Sequence, residues 1–568
     1  MNRWVRSLVW LVCLIAVVVG RSGLVLADPR PNFLVIVSDD QRYDDNVYQY
    51  MPGMWWGIMV PDGVWFRQAY DTTPLCCPSR SSIFTGMYAH RHGVIGNTYP
   101  LGPSGITTVG QRLKAAGYHT GLVGKYLNTA SGDPRPEFDY WVAIPGGGVD
   151  SYYNYDLNIN GTWHRGVTTY ITNNLGDRAK TFLQNAPANQ PFLLFFTPVA
   201  PHAPADPAPG EGSLPFPDLD VSQPQFNEPD VSDKPAWLQA TPQRTDLSAV
   251  EQFHKNQLRA LVALDRKIGE LLTVLTNRGM MDNTVIMYIS DNGMFWAEHR
   301  LRGKKRVYQE SIHVPFAIRY PPLTRNHADV DDHLVANIDI TPTIYELAGV
   351  LNQVPAQEQP DGMSLVGLLN GSRPWRDALM IEGWPQSDRT DAGDKNSESY
   401  QAMHTDRFVY VETYNDRAEL YDLWTDPQQL TNLIPPNGVI ANPFYAQVRD
   451  DLRKRLHPCY VLGAAFGSPS APEIAILDEF RQRVFPLNRL HRAYLAWYSR
   501  VGPKLAAFLQ DKPALKAGVR ALASPGAVLA YSWLEHHPRR PLAVIPGSPD
   551  GPLGTNTPPD KDDHDDQD

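Results

Sequence analysis

The chain has 568 residues, 42% apolar and 20% charged, a globular composition with room for roughly two to four structural units. Half of its net charge of -10 sits at the end, where residues 551–568 carry six aspartates and one lysine. The body is only mildly acidic, and its Lys and Arg are scattered rather than gathered into a stripe, which argues against a nucleic-acid partner.

In chain order, the first feature reads as an export signal. Arg3 and Arg6 precede an apolar run from Leu8 to Val19, and Val25-Leu26-Ala27 offers a cleavage site, so residues 1–27 are expected to leave and the mature chain to begin near Asp28. The alternative is an uncleaved anchor, although the run is shorter than the about 20 apolar residues a membrane span needs. Cys13 leaves with the signal, and Cys76, Cys77 and Cys459 remain. An odd number without framework spacing excludes a disulfide-held fold. Adjacent cysteines bridge poorly, so Cys76 and Cys77 need another explanation.

Three continuous apolar runs predict strands buried on both faces: residues 32–37, 191–196 and 284–289. Each ends in polar residues: Asp39-Asp40, Pro201-His202-Ala203-Pro204 and Asp291-Asn292. Between them lie helical patterns, above all Val250 to Arg278, with Leu258, Leu261, Leu264, Ile268 and Leu271 at three- and four-residue intervals. The alternation predicts an α/β fold with a large, mainly parallel sheet flanked by helices over 28–375. Such sheets bind ligands beyond the carboxyl ends of their strands.

Residues 203–236, dense in proline and acids, are expected to form a long loop over one edge of the site. Arg407–Tyr414 and Glu419–Leu423 read as antiparallel strands joined by a turn at Asn415-Asp416, within a smaller α+β domain over 376–456. A helical extension follows over 457–537, and 538–568 has the composition of a disordered acidic tail.

Asp39, Asp40, Asp291 and Asn292 bring four oxygen-bearing side chains to the ends of two buried strands, the ligand set of a hard cation. Calcium is expected before magnesium, which tends to keep several waters. No cluster of His or Cys accompanies the acids to suit a softer metal. Ser79 to Tyr88 reads as a helix with Pro78 at its start, where free N–H groups and the helix dipole would favour an anion.

The run Cys76-Cys77-Pro78-Ser79-Arg80-Ser81-Ser82-Ile83-Phe84-Thr85-Gly86 is similar to the signature of the sulfatase family, whose fold is alkaline-phosphatase-like. The resemblance implies that Cys76 is converted to formylglycine by a formylglycine-generating enzyme, with Cys77 at the variable position. A thiolate attacking a sulfate ester would be trapped as an adduct. An aldehyde hydrate escapes, because one hydroxyl attacks sulfur and the other later expels sulfate as the aldehyde re-forms. Further matches run along residues 30–435: the two acidic pairs as calcium ligands, Arg80, Gly124-Lys125, Pro201-His202-Ala203-Pro204 and Gly303-Lys304. In this reading Arg80 holds the nucleophile. Lys125 and Lys304 stabilise the sulfate oxygens, and His202 protonates the leaving alcohol or orients the ester.

Many arylsulfatases carry Gly-Lys-Trp-His, whereas here Lys125 is followed by Tyr126-Leu127-Asn128. Gly-Lys-Tyr-Leu-Asn and the double cysteine resemble the N-acetylglucosamine-6-sulfatases and heparan endosulfatases. Phe226-Asn227-Glu228 and Val231-Ser232-Asp233-Lys234-Pro235 resemble bacterial members of that branch. The branch implies a 6-O-sulfated glucosamine or related sulfated glycan as substrate, with aryl sulfates a further class. Asn128 and His299 are candidate substrate contacts, His299 alternatively capping a loop. Trp141, Tyr152, Tyr153, Tyr155 and Trp163 either stack on a sugar or pack the core.

Cys459 to Ser468 and the helices after it resemble a C-terminal module of bacterial exported proteins, which implies a bacterial, secreted, periplasmic or envelope-associated protein. Two rivals stand beside the sulfatase reading. One is a formylglycine-dependent phosphodiesterase or phosphonate monoester hydrolase; the other is a catalytically silent protein that binds sulfated glycans.

Overall fold

The computed structural model describes residues 30–456, apart from 102–105, 149, 328 and 385–398, and beyond them only residues 515 and 519. The expected export signal, Cys459 module and acidic tail lie outside the described residues. Ten strands form the main sheet: β1 (Asn32–Ser38), β2 (Gly63–Phe66), β3 (His119–Gly124), β4 (Tyr140–Ala143), β5 (Tyr155–Ile159), β6 (Thr162–Val167), β7 (Phe192–Thr197), β8 (Thr284–Ser290), β9 (Phe316–Arg319) and β10 (Val330–Asp331). Their order is β10-β2-β9-β8-β1-β7-β3-β4-β5-β6. The centre, from β8 to β4, is parallel throughout. Antiparallel β9 lies on one side, β5 and β6 on the other.

The apolar runs of β1, β7 and β8 are buried at every residue because helices cover both faces of the sheet. Alternate residues serve alternate cores. Leu34 and Ile36 of β1 join α3 (Ile171–Asn185) and α4 (Leu247–Asn277) through Leu175, Phe182, Leu261 and Leu264. Phe33, Val35 and Val37 join α1 (Cys76–Thr85), α2 (Val109–Ala115) and α5 (Ile340–Leu347) through Ile83, Leu113 and Ile344.

Register then places the chemistry. Ser38 of β1 lies opposite Ser290 of β8, so the next residues, Asp39 and Asp291, leave the sheet side by side. Gly124 of β3 lies opposite Thr197 of β7, and Lys125 follows it at the same end. Lys125 N donates to Thr197 O at 2.8 Å. That close crossing requires glycine at 124, where φ is 127° and an added Cβ would stand 1.9 Å from Thr197 O. Gly124→Ala is expected to cost about 3–5 kcal/mol through backbone strain and overpacking. It should also lower turnover by about 100-fold by shifting Lys125. Melting temperature and single-turnover rate measure the two effects.

A second, antiparallel sheet is built from β11 (Ala378–Gly383), β12 (Tyr400–Thr405), β13 (Phe408–Thr413) and β14 (Glu419–Asp422), with α6 (Pro443–Leu456) packed on it. The turn after β13 has Asn415 at φ 55°, a left-handed position that Asn tolerates. Residues 203–235 form a long loop without helix or named strand. Its far end is fastened to the second sheet by Lys234, whose side chain is fully enclosed. Lys234 Nζ donates to Gln429 O at 2.5 Å and Leu430 O at 2.7 Å, and lies 4.7 Å from the ring centre of Tyr421. Tyr421 and Tyr308 both donate to the buried Glu419 carboxylate, at 2.6 and 2.7 Å. Lys234→Met strands two carbonyls and should cost about 2–4 kcal/mol. Faster proteolysis within 203–236 would report the loosened loop.

Candidate active site

The helix carrying the cysteine pair begins earlier than the sequence suggests. It runs from Cys76 to Thr85 with Leu75 in extended conformation before it, and Gly86, at φ 70°, ends it. Pro78 is therefore the third helical residue, a position as free of an intrahelical N–H partner as the first. Cys76 is the first residue of the helix and 1% exposed. The expectation of several free amides there is corrected: Cys77 N donates to Asn97 Oδ1 at 3.1 Å, Ser79 N to Leu75 O at 3.0 Å, and Pro78 has no N–H.

The charged side chains around Cys76 converge. Arg80, 1% exposed, reaches three groups: Nε to Asp291 Oδ2 at 2.8 Å, Nη1 to Lys125 O at 3.0 Å, and Nη2 to 3.4 Å from Asp39 Oδ2. Lys125 Nζ lies 2.8 Å from Asp39 Oδ2, with both side chains fully buried. Lys304 Nζ meets Asp40 Oδ1 at 2.5 Å, and Asn292 Nδ2 donates to the same oxygen at 2.6 Å. Asp40 sits at φ 64°, held there by its N–H on Asp291 Oδ1 at 3.1 Å. Burial works against the charged forms of Asp39 and Asp40. Lys125 for the first and Lys304 for the second, each helped by His202, outweigh it and hold both below the usual carboxylate value. Burial pushes the Cys76 thiol up despite Lys125 and Lys304, so the unmodified sulfur is not an activated thiolate.

His202 Nδ1 donates to Ala203 O at 2.7 Å, which leaves Nε2 facing Asp40 Oδ2 at 3.7 Å. One ligand atom from each of Asp39, Asp40, Cys76 and His202 lies within 4.8 Å of the others. Tyr152 Oη donates to His202 O at 2.7 Å, so this ring braces the histidine loop. Tyr152, Trp141 and Tyr155 are 0%, 1% and 5% exposed, packing residues rather than a sugar platform.

Two expected substrate contacts are placed differently from the basic residues. His299 is fully buried, its Nδ1 2.7 Å from Glu228 Oε2 and its ring stacked 4.3 Å from Tyr308. The backbone of 297–299 pairs with 225–227, so the His299 segment and the Phe226-Asn227-Glu228 run hold one another. This is the loop-fixing alternative. Asn128 is half-buried and is bound to Cys77.

Gln257 was not singled out from the sequence. It donates from Nε2 to Pro201 O at 3.2 Å and accepts from Trp296 Nε1 at 2.5 Å, bracing the histidine loop against α4. Its signal was a polar residue on the buried stripe of a helix. Arg42 lies 4.1 Å over the Trp296 ring and donates to Glu298 Oε1 at 2.5 Å. Asp71 was also missed. It is fully buried with neither carboxylate oxygen hydrogen-bonded, and burial pushes its pKa well above the usual range.

The residues suit a hard cation. Asp39 Oδ1 and Asn292 Oδ1 are buried acceptors that no hydrogen bond reaches, beside the carboxylates of Asp40 and Asp291. Buried oxygens left without donors are what such an ion uses. Asp291 is the most committed of the four, with Oδ2 on Arg80 and Oδ1 on Asp40 N.

A buried cysteine at a helix start, set among paired acids and buried cations beyond the strand ends, is an arrangement suited to the hydrolysis of anionic esters. The chain belongs to the sulfatase family: that family's model matches residues 31–350, and the model described as N-sulphoglucosamine sulphohydrolase, C-terminal, matches 297–460. It is 30% identical over 471 residues to the N-acetylglucosamine-6-sulfatase of Homo sapiens, covering 73% of this chain and 83% of that one. It is 31% identical over 406 residues to the extracellular sulfatase SULF-1 homologue of Drosophila melanogaster, covering 66% of this chain. The chain spans 35% of that relative's length, and 55% of the length of a Caenorhabditis elegans Sulf-1 homologue. A solved structure described as a complex with its substrate D-glucosamine-2-N,6-O-disulfate shares the fold, with a TM-score of 0.61 and 24% identity over 75% of this chain and 97% of that one. The alkaline-phosphatase-like architecture expected from the sequence is the one observed.

Proposed function

We propose that the protein hydrolyses sulfate esters of glycans, with 6-O-sulfated N-acetylglucosamine as the preferred unit, using formylglycine made from Cys76. The observation that carries the reading is the enclosure of the Cys76 side chain with Asp39, Asp40 and His202, flanked by Lys125, Lys304 and Arg80. Formylglycine supplies a hydrated aldehyde, whose two hydroxyls allow attack on sulfur and later release of sulfate. A divalent cation held by Asp39, Asp40, Asp291 and Asn292, calcium before magnesium, supplies positive charge for the anionic ester.

The chain's own groups do the rest. Arg80 fixes the acids beside the nucleophile and orients it. Lys125 and Lys304 bind the sulfate oxygens and offset charge as the S–O bond breaks. His202, pinned through Nδ1, holds a proton at Nε2 for the departing alcohol. Export to the envelope or medium of a bacterium, with maturation by a formylglycine-generating enzyme and envelope attachment through the Cys459 module, completes the reading. It is supported by the Leu8–Val19 run and the extracellular relatives. Among the described residues no helix is long and apolar enough to cross a membrane.

The test is release of sulfate from N-acetylglucosamine 6-sulfate, set against hydrolysis of a phosphonate monoester and a phosphodiester by the same preparation. Faster turnover of either phosphorus ester would replace the sulfatase reading with its nearest rival. Tight glycan binding without sulfate release, with Cys76 converted, would favour the silent binder. Chelation is expected to lower both turnover and melting temperature, since an ion that binds only the native state stabilises it. An enzyme indifferent to chelator would contradict the cation site.

A further inference from the structure

Cys77 makes contacts that the hydrolytic chemistry does not use. Its Sγ lies 3.0 Å from Asn128 N, 3.3 Å from Asn128 Oδ1 and 3.7 Å from Asn97 O. Burial pushes this thiol up to about 12, so at working pH it carries its proton. Sulfur accepts the Asn128 N–H, and the S–H donates to the nearer oxygen, Asn128 Oδ1. The first contact fixes the backbone of Asn128 and the second its side chain. With Oδ1 occupied, the amide's two Nδ2 hydrogens are what Asn128 has left to offer a ligand.

The position of Asn128 gives that amide a use. It lies three residues beyond Lys125, whose carbonyl accepts from Arg80, and it is bound to the neighbour of the nucleophile. Tyr126 and Leu127 between them are 3% and 2% exposed, while Asn128 itself is half-exposed. A partly exposed donor is thus held beside Cys77, one residue along the chain from Cys76. A freely turning asparagine would present oxygen or nitrogen with similar ease. The contact between Cys77 Sγ and Oδ1 leaves the nitrogen as the end of the amide available to a ligand.

We propose that Cys77 is a positioning residue for substrate: it locks Asn128 so that the amide donates to an oxygen on the ring of the sulfated sugar. The inference rests on the glycan sulfatase reading. It gives the double cysteine and the Gly-Lys-Tyr-Leu-Asn run a single physical purpose, since one holds the end of the other.

The test compares Cys77→Ala, Cys77→Ser, Asn128→Ala and the double alanine variant, each with Cys76 conversion confirmed by peptide mass. Substrates are N-acetylglucosamine 6-sulfate and 4-nitrophenyl sulfate, which lacks the sugar ring. Cys77→Ala should raise KM for the sugar by about tenfold more than for the aryl ester, one lost hydrogen bond's worth. Asn128→Ala should do the same, the double variant should be no worse than Asn128→Ala, and Cys77→Ser, which keeps a donor and an acceptor, should recover most of the loss. Equal losses on both substrates, a neutral Cys77→Ala, or additive losses in the double variant would overturn the inference while leaving the sulfatase reading intact. A converted wild-type protein that released sulfate from neither ester would overturn both.

Discussion

Cys76→Ala is expected to lower sulfate release by at least about 10,000-fold while leaving the melting temperature nearly unchanged, because a covalent route has no substitute for its nucleophile. The fold should tolerate the change. Cys76 opens α1, where alanine is a good helix residue, and its sulfur is the smallest part of a cluster held by Asp39, Asp40, Arg80 and Lys125. Cys77→Ala must behave differently, retaining most turnover of a simple aryl sulfate. Comparable collapse in both variants would move the nucleophile away from Cys76 or reveal a shared structural role.

Arg80→Met is expected to be strongly destabilising. Arg80 is the only cation within 4.0 Å of Asp291 among the described residues, and the second one beside Asp39. Removing one partner of a buried charge cluster costs about 3–5 kcal/mol, because the carboxylates stay enclosed. The cost should be greatest in chelated protein. Arg80→Lys should restore part of it, yet an ammonium cannot span Asp291, Asp39 and the Lys125 carbonyl together. Turnover should remain depressed by about 100- to 1,000-fold.

The acid limb gives an independent sign. Burial opposes the charge on Asp39, but Lys125, His202 and Arg80 prevail, so its folded pKa lies below 3.8. Its contribution to stability is full above that value and is lost as pH falls through the folded pKa. Losing the guanidinium moves the folded pKa up. Acid unfolding of Arg80→Met should therefore begin at higher pH, and an unchanged midpoint would contradict the role given to Arg80.

Much of the fold is legible in sequence because its centre is buried on both faces. β1, β7 and β8 carry apolar runs with acids or histidine at their ends, and a parallel sheet with helices on both sides is what such runs build. The acidic pairs could be grouped from their places at strand ends. Only register, Ser38 against Ser290, shows that they leave the sheet side by side. The helix at Cys76 was harder to bound, since proline is compatible with any position in a first turn and so cannot mark the first residue. Lys234 was legible as part of a motif but not as an anchor. The partners of Lys234 are backbone carbonyls 195 and 196 residues away, which carry no sequence signal. Gln257 was visible in principle, as a polar residue on the stripe that continues through Leu261 and Leu264.

Cys76, and not its neighbour, is expected to become the aldehyde that attacks sulfate. The peptide Gln68–Arg80, released by trypsin, contains both cysteines, and its fragment masses separate them. From catalytically competent protein, the peptide should be about 18 Da lighter than its sequence requires, with the whole loss at Cys76 and Cys77 unaltered. An active enzyme whose Cys76 retains its thiol, or whose loss maps to Cys77, would contradict the claim.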